Sequence, residues 1–148
     1  MQFKKILVAI NGTDVDKDIV QLACNLARPS KGKIYVTYVI RMERTLPLDA
    51  EVKPEIDKGE ESLDAAERHA EDIDYEVDTD LLQARTVGPA LVNEAMERGI
   101  DLLMIGLNYK TQFGEFSLGE VIPYVLKHSP CRVMVLREPA QTKAEAKR

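Results

Sequence analysis

Few stretches of this 148-residue chain carry side chains able to do chemistry. Asn11, Gly12, Thr13 and Asp14 place an amide, a glycine, a hydroxyl and a carboxylate directly after an apolar run. That composition serves either as a turn with a helix cap or as the polar rim of a ligand site. Asp14, Asp16 and Asp18 alternate as cation ligands can, but the glycine and terminal glutamate of a calcium loop are missing. A charge cluster at a helix start is the expected role, and no metal site is expected. Residues 106–119 form a long polar loop containing Phe113 and Phe116. Uncommitted loops of that length are often functional, and the two aromatics are expected to pack it down or meet a partner. His69 lies in a charged helical stretch and His128 at a helix end, neither beside a nucleophile, so triad chemistry is poorly supported. No Walker P-loop and no H-x-G-H sequence is present. Cys24 and Cys131 lack a CxxC partner and read as reduced core thiols.

The elements that must position these residues follow from hydrophobic period. Residues 4–10 form a continuous β-branched apolar run, as in a strand buried on both faces. Ile19, Leu22, Ala23 and Leu26 then recur at helical spacing, with Thr13 or Asp14 available to cap the first free amides. Residues 33–40 give a second strand, and residues 41–53 an irregular connection. Pro54 opens a helix with a thin stripe of Ile56, Leu63, Ala66, Ala70 and Ile73. Residues 75–82 alternate polar and apolar and predict a half-exposed edge strand. A third helix from Gly88 and Pro89 turns Leu91, Val92, Ala95 and Met96 inward and stops at Gly99. Residues 100–105 are the next buried strand. Val121, Ile122, Val125 and Leu126 mark a fourth helix, ended by Ser129 and Pro130, and residues 131–137 the fifth strand.

Single helices between strands imply one open parallel sheet covered on both faces, an α/β fold in which ligands sit beyond the carboxyl ends of the strands where strand order reverses. The loops at residues 11–14, 40–42 and 106–119 border that crevice. Residues 1–138 form the expected domain, and residues 139–148 a solvated carboxyl-terminal tail. A net charge of −5 with no basic stripe argues against nucleic acid as a partner. The apolar run after Met1 is far too short for a membrane span and lacks a small-residue cleavage site, so no membrane partner and a cytoplasmic location are expected.

Three pieces together, residues 5–13, residues 101–106, and residues 118–121 leading to 128–135, resemble universal stress protein motifs in order and spacing, across nearly the whole chain. The resemblance implies a Rossmann-like sheet of the adenine nucleotide alpha hydrolase-like kind, with strand order 3-2-1-4-5. It also implies a homodimer pairing through the fifth strand, at Cys131, Arg132, Val133, Met134, Val135 and Leu136. An edge carrying Val133, Val135 and Leu136 would indeed be an aggregation hazard if left bare; the alternative is that the tail folds over it.

Nucleotide-binding members of that family carry a loop of Gly, two residues, Gly, nine residues, then Gly with Ser or Thr, whose amides and hydroxyl hold phosphates. Here Gly106 and Gly119 match, but Tyr109 stands at the second Gly and Glu120 at the Ser or Thr. A phenol obstructs close backbone approach, and a carboxylate repels phosphate. Lys110, where the family often has a basic residue, offsets part of that repulsion. The family's Asp after the first strand is Asn11 here, which keeps an acceptor and adds donors for adenine or ribose. Val39 and Ile40 offer an apolar wall and backbone groups. The implied ligand-binding set is thus Asn11, Gly12, Thr13, Val39, Gly106, Asn108, Tyr109, Lys110, Gly119 and Glu120. The expected function is a homodimeric stress-response regulator, not a catalyst, with no assured cofactor and with ATP, AMP or adenosine as candidate ligands. An unidentified protein partner fits that role. The alternatives are an ATP- or AMP-binding switch, and slow nucleotide hydrolysis or self-phosphorylation at Thr111 or Ser117.

Overall fold

The computed structural model describes residues 1–108, 111–112, 115–116 and 118–140. Tyr109, Lys110, Phe113, Ser117 and the tail from Gln141 therefore lie outside the described residues. Five parallel strands form one sheet in the order β3-β2-β1-β4-β7. They are β1 (Lys5–Ile10), β2 (Lys33–Arg41), β3 (Asp78–Ala84), β4 (Leu102–Leu107) and β7 (Arg132–Arg137). The long loop contains a short hairpin, β5 (Thr111–Gln112) against β6 (Glu115–Phe116), where the sequence had predicted no element.

The helices α1 (Val15–Ala27), α2 (Lys53–Glu71), α3 (Val87–Arg98) and α4 (Val121–His128) divide between the faces. Ile6, Val8 and Ile10 of β1 meet Ile19, Val20 and Ala23 of α1 and the Leu63, Ala66, Ala70 stripe of α2 in one core. Leu7 meets Leu91, Val92 and Ala95 of α3 and Ile122 and Val125 of α4 in the other. The period-2 alternation of each strand thus feeds two separate apolar layers.

Several sequence expectations need correction. The edge strand β3 starts at Asp78, not at residue 75, because α2 returns through a left-handed Asp74 (φ 58°) with the Tyr75 amide donating to the Ala70 carbonyl at 3.0 Å. Tyr75 is spent on that return, and its hydroxyl donates to the Gly32 carbonyl. Met96 is 62% exposed, since at 100° per residue it falls about 90° from the centre of the Leu91–Ala95 stripe. Leu126 is left outside the α4 stripe in the same way. Cys24 is fully buried, but Cys131 is only half-buried, just ahead of β7. Neither Thr13 nor Asp14 caps α1 through its side chain.

Candidate functional site

The order of the sheet reverses at β1, with β2 on one side and β4 on the other. A cavity of about 300 Å³ opens there at the carboxyl ends of the three strands, on the α3/α4 face. Ala9 and Asn11 of β1 and its following turn, Thr37 and Val39 of β2, and Ile105 and Leu107 of β4 line it. Val87 and Leu91 of α3, and Leu118 through Ile122 leading into α4, complete the walls. The sheet's burial records the same opening: apart from the exposed terminal Lys5, Lys33 and Arg41, the positions of β1, β2 and β4 that are only partly buried are Ala9, Val39 and Leu107.

The lining is mostly apolar, with a small polar content. Thr37 is fully buried, and its hydroxyl has no hydrogen-bond partner among the described residues. At the rim the Thr13 hydroxyl donates to Asn11 Oδ1 at 2.6 Å, which occupies one of the two lone pairs of that acceptor. The turn is held from below by Asp16, whose carboxylate accepts the Asn11 amide at 3.3 Å and the Gly12 amide at 2.9 Å. Gly12 takes φ +77° there, a left-handed conformation that favours glycine. Burial of Asp16 raises its carboxyl above the ordinary range, while the Asn11, Gly12 and Thr13 amides pull it down.

The predicted site residues therefore separate. Asn11, Val39, Gly106, Gly119 and Glu120 line the cavity. Gly12 and Thr13 instead face a second cavity of about 490 Å³ between α1 and α2, shared with Asp16, Lys58, Ser62 and His69. Asn108 follows β4 outside the lining, with its Oδ1 buried and unpaired among the described residues. Tyr109 and Lys110 lie outside the described residues. Gly106 also has a packing role: a Cβ there would meet Val15 Cγ1 at 2.7 Å, so its missing side chain admits the start of α1 on the opposite face. Gly119 turns with φ +71° and leads into Glu120, the N-cap of α4. A carboxylate there complements the helix dipole, and it is solvent-exposed at the wall between the cavity and a neighbouring cleft that holds Arg41 and Tyr124.

Sequence reasoning missed Ala9, Thr37, Val87 and Leu91. Two faint signals pointed to them: Ala9 is the smallest residue of the β1 run, and Thr37 is the hydroxyl inside an otherwise apolar and aromatic strand. Neither histidine lines this cavity; His128 packs its ring on Tyr124 at 4.3 Å, and His69 lies in the α1–α2 cavity. A further groove of about 460 Å³ lies at the amino ends of β2 and β3, lined by Lys31, Lys33, Glu67, Glu71 and Asp78, and holds no orphaned buried group among the described residues. No three His, Cys, Asp or Glu side chains among the described residues stand close enough to hold a metal ion. No helix among them is long and apolar enough to cross a membrane.

A universal stress protein of Methanocaldococcus jannaschii is 27% identical over 143 residues, covering 93% of this chain and 84% of that one. A universal stress protein in complex with cAMP superposes with a TM-score of 0.73 at 20% identity, over 92% of this chain and 98% of the other. One from Archaeoglobus fulgidus in complex with dAMP does so with a TM-score of 0.71 at 20% identity, over 91% and 98%. The sequence matches the universal stress protein family across residues 2–137, and with the sheet order and the crevice at its reversal point in place, the chain belongs to that family.

Proposed function

We propose that the cavity at the β1–β2–β4 ends takes the base and ribose of adenosine or a short-phosphate adenine nucleotide. The protein then works as a cytoplasmic stress-response regulator through occupancy, not turnover. The observation that carries this reading is the cavity itself. It is apolar along Ala9, Val39, Ile105 and Leu91, it is rimmed by Asn11, and it lies where open α/β sheets bind ligands. Two solved relatives hold adenine monophosphates, cAMP and dAMP, on the same fold. ATP is expected to bind weakly or not at all. Glu120 brings a negative charge to the wall nearest the family's phosphate loop, and that loop has Tyr109 in place of glycine.

We also propose a homodimer through Cys131, Arg132, Val133, Met134, Val135 and Leu136. Among the described residues the strand β7 ends the sheet, pairs with β4 alone, and carries four half-buried residues between exposed arginines. An edge of that kind favours pairing with another edge. Residues 1–138 would be the folding unit, with the dimer edge at its end.

Titration calorimetry with adenosine, AMP and ATP tests the ligand reading. Heat from adenosine and AMP with little or none from ATP supports it. Micromolar ATP affinity would overturn the weak-phosphate part and favour a switch in which Lys110 rescues the phosphates. Phosphate transfer to Thr111 or Ser117 would overturn the occupancy reading.

A further inference from the structure

We propose that the Thr37 hydroxyl hydrogen-bonds the edge of a planar nitrogen heterocycle seated on the cavity floor, and so selects such a base over an apolar ring of the same outline. The inference rests on the nucleoside reading above and names the group that would give it specificity. Its basis is an orphaned polar atom in a built pocket. Thr37 is 0% exposed, lines the cavity, and finds no partner for Oγ1 among the described residues. Buried hydroxyls are normally bonded, and an unpaired one carries a desolvation cost that valine, equally at home in a strand, would avoid.

The neighbouring strands show why the described residues leave this hydroxyl without a partner. Thr37 pairs laterally with Ala9 of β1, which has no polar side-chain atom, and with Asp80 of β3. The Asp80 carboxylate is engaged by the Arg98 guanidinium at 2.5 Å, and that guanidinium in turn lies over the Tyr35 ring at 4.4 Å. The backbone of β2 is committed to ladders on both sides. The cavity that Thr37 lines is the open space beside it. Val39, on the same face, stands two residues nearer the mouth, which places Thr37 about 6–7 Å deeper along the strand. A ring held between Val39, Ala9 and Leu91 would present its inner edge to a group able both to donate and to accept.

The test measures adenosine and benzimidazole riboside binding by calorimetry for wild type, Thr37→Val and Thr37→Ser, with thermal melts of each ligand-free protein. Benzimidazole riboside keeps the bicyclic outline but lacks the amino group and the nitrogens of the six-membered ring. Thr37→Val should weaken adenosine on the order of tenfold and narrow the preference for adenosine by a similar factor, with the ligand-free midpoint unchanged or raised. Thr37→Ser should stay near wild type. If wild type binds adenosine and Thr37→Val binds it equally well, this inference fails while the nucleoside reading stands. A Thr37→Val midpoint well below those of wild type and Thr37→Ser would show the hydroxyl bonded within the fold, which also overturns it. If wild type binds no adenosine at millimolar concentration, both fall together.

Discussion

Replacing Glu120 by serine should turn a phosphate-averse site into a phosphate-tolerant one. The residue holds the N-cap position of α4 without a side-chain capping bond, is exposed, and stands on the cavity wall beside Gly119. For a carboxylate and a phosphate each bearing unit charge about 5 Å apart, the repulsion is about 3 kcal/mol at an effective dielectric near 20 and about 1 kcal/mol in bulk water. Exposure pushes the value toward the lower figure, and added salt shrinks it further. Serine also supplies a hydroxyl able to meet the phosphate and to cap the helix. Glu120→Ser should therefore tighten AMP by about fivefold to a hundredfold at low salt, with the gain fading as salt rises. Adenosine, which has no phosphate, is the internal control and should bind both proteins alike. Calorimetry at two ionic strengths reads the ratio directly. An AMP-to-adenosine ratio unchanged by the substitution, or a gain that is equal for the two ligands, would refute the electrostatic argument.

Three further outcomes follow from the packing and titration. Gly88→Ala puts a Cβ 2.8 Å from Tyr124 Cδ1 and 3.1 Å from Tyr124 Cβ. Contact at the root of that side chain outweighs the gain in helix propensity, so urea unfolding should show a loss of about 1–2 kcal/mol, and a gain would contradict the α3–α4 packing. Asp16 has its carboxyl raised by burial, so its contribution is fullest on the acid side and is lost as pH rises through the folded-state value. Wild type should therefore hold its largest stability advantage over Asp16→Asn at about pH 3, below the ordinary carboxyl value of 3.8, and lose part of it by pH 7 in urea titrations; an advantage that grows with pH would reverse the sign. The Cys24 thiol, fully buried and pushed up to about 11 mainly by desolvation, should resist a thiol reagent until the protein unfolds. Equal rates of Cys24 modification in the folded and the urea-unfolded protein would contradict its burial.

What the sequence made legible were features with a period. The short, unbroken apolar runs of β1 and β4, with a glycine close after β1 and at the end of the β4 run, read as strands buried on both faces, and the order of strands and helices then fixes where a crevice forms. The left-handed stop at Gly99 was legible for the same local reason, and it takes φ +63°. Long-range arrangements stayed hidden. Asp16 reads as one of several acids at a helix start, and only the folded chain shows its carboxylate reaching back to the Asn11 and Gly12 amides. Gly106 reads as a phosphate glycine, yet the close approach it permits is to Val15 across the sheet. Thr37 is an ordinary strand residue until Ala9 and Asp80 are seen to leave its hydroxyl unanswered.

A crystal structure of the protein soaked with adenosine tests the central claim most directly. The account predicts a base lying between Val39 and Leu91 with an edge atom within hydrogen-bonding distance of Thr37 Oγ1, and the ribose at Asn11. Adenosine bound elsewhere, or a triphosphate carried through purification with its phosphates seated beside Glu120, would contradict it.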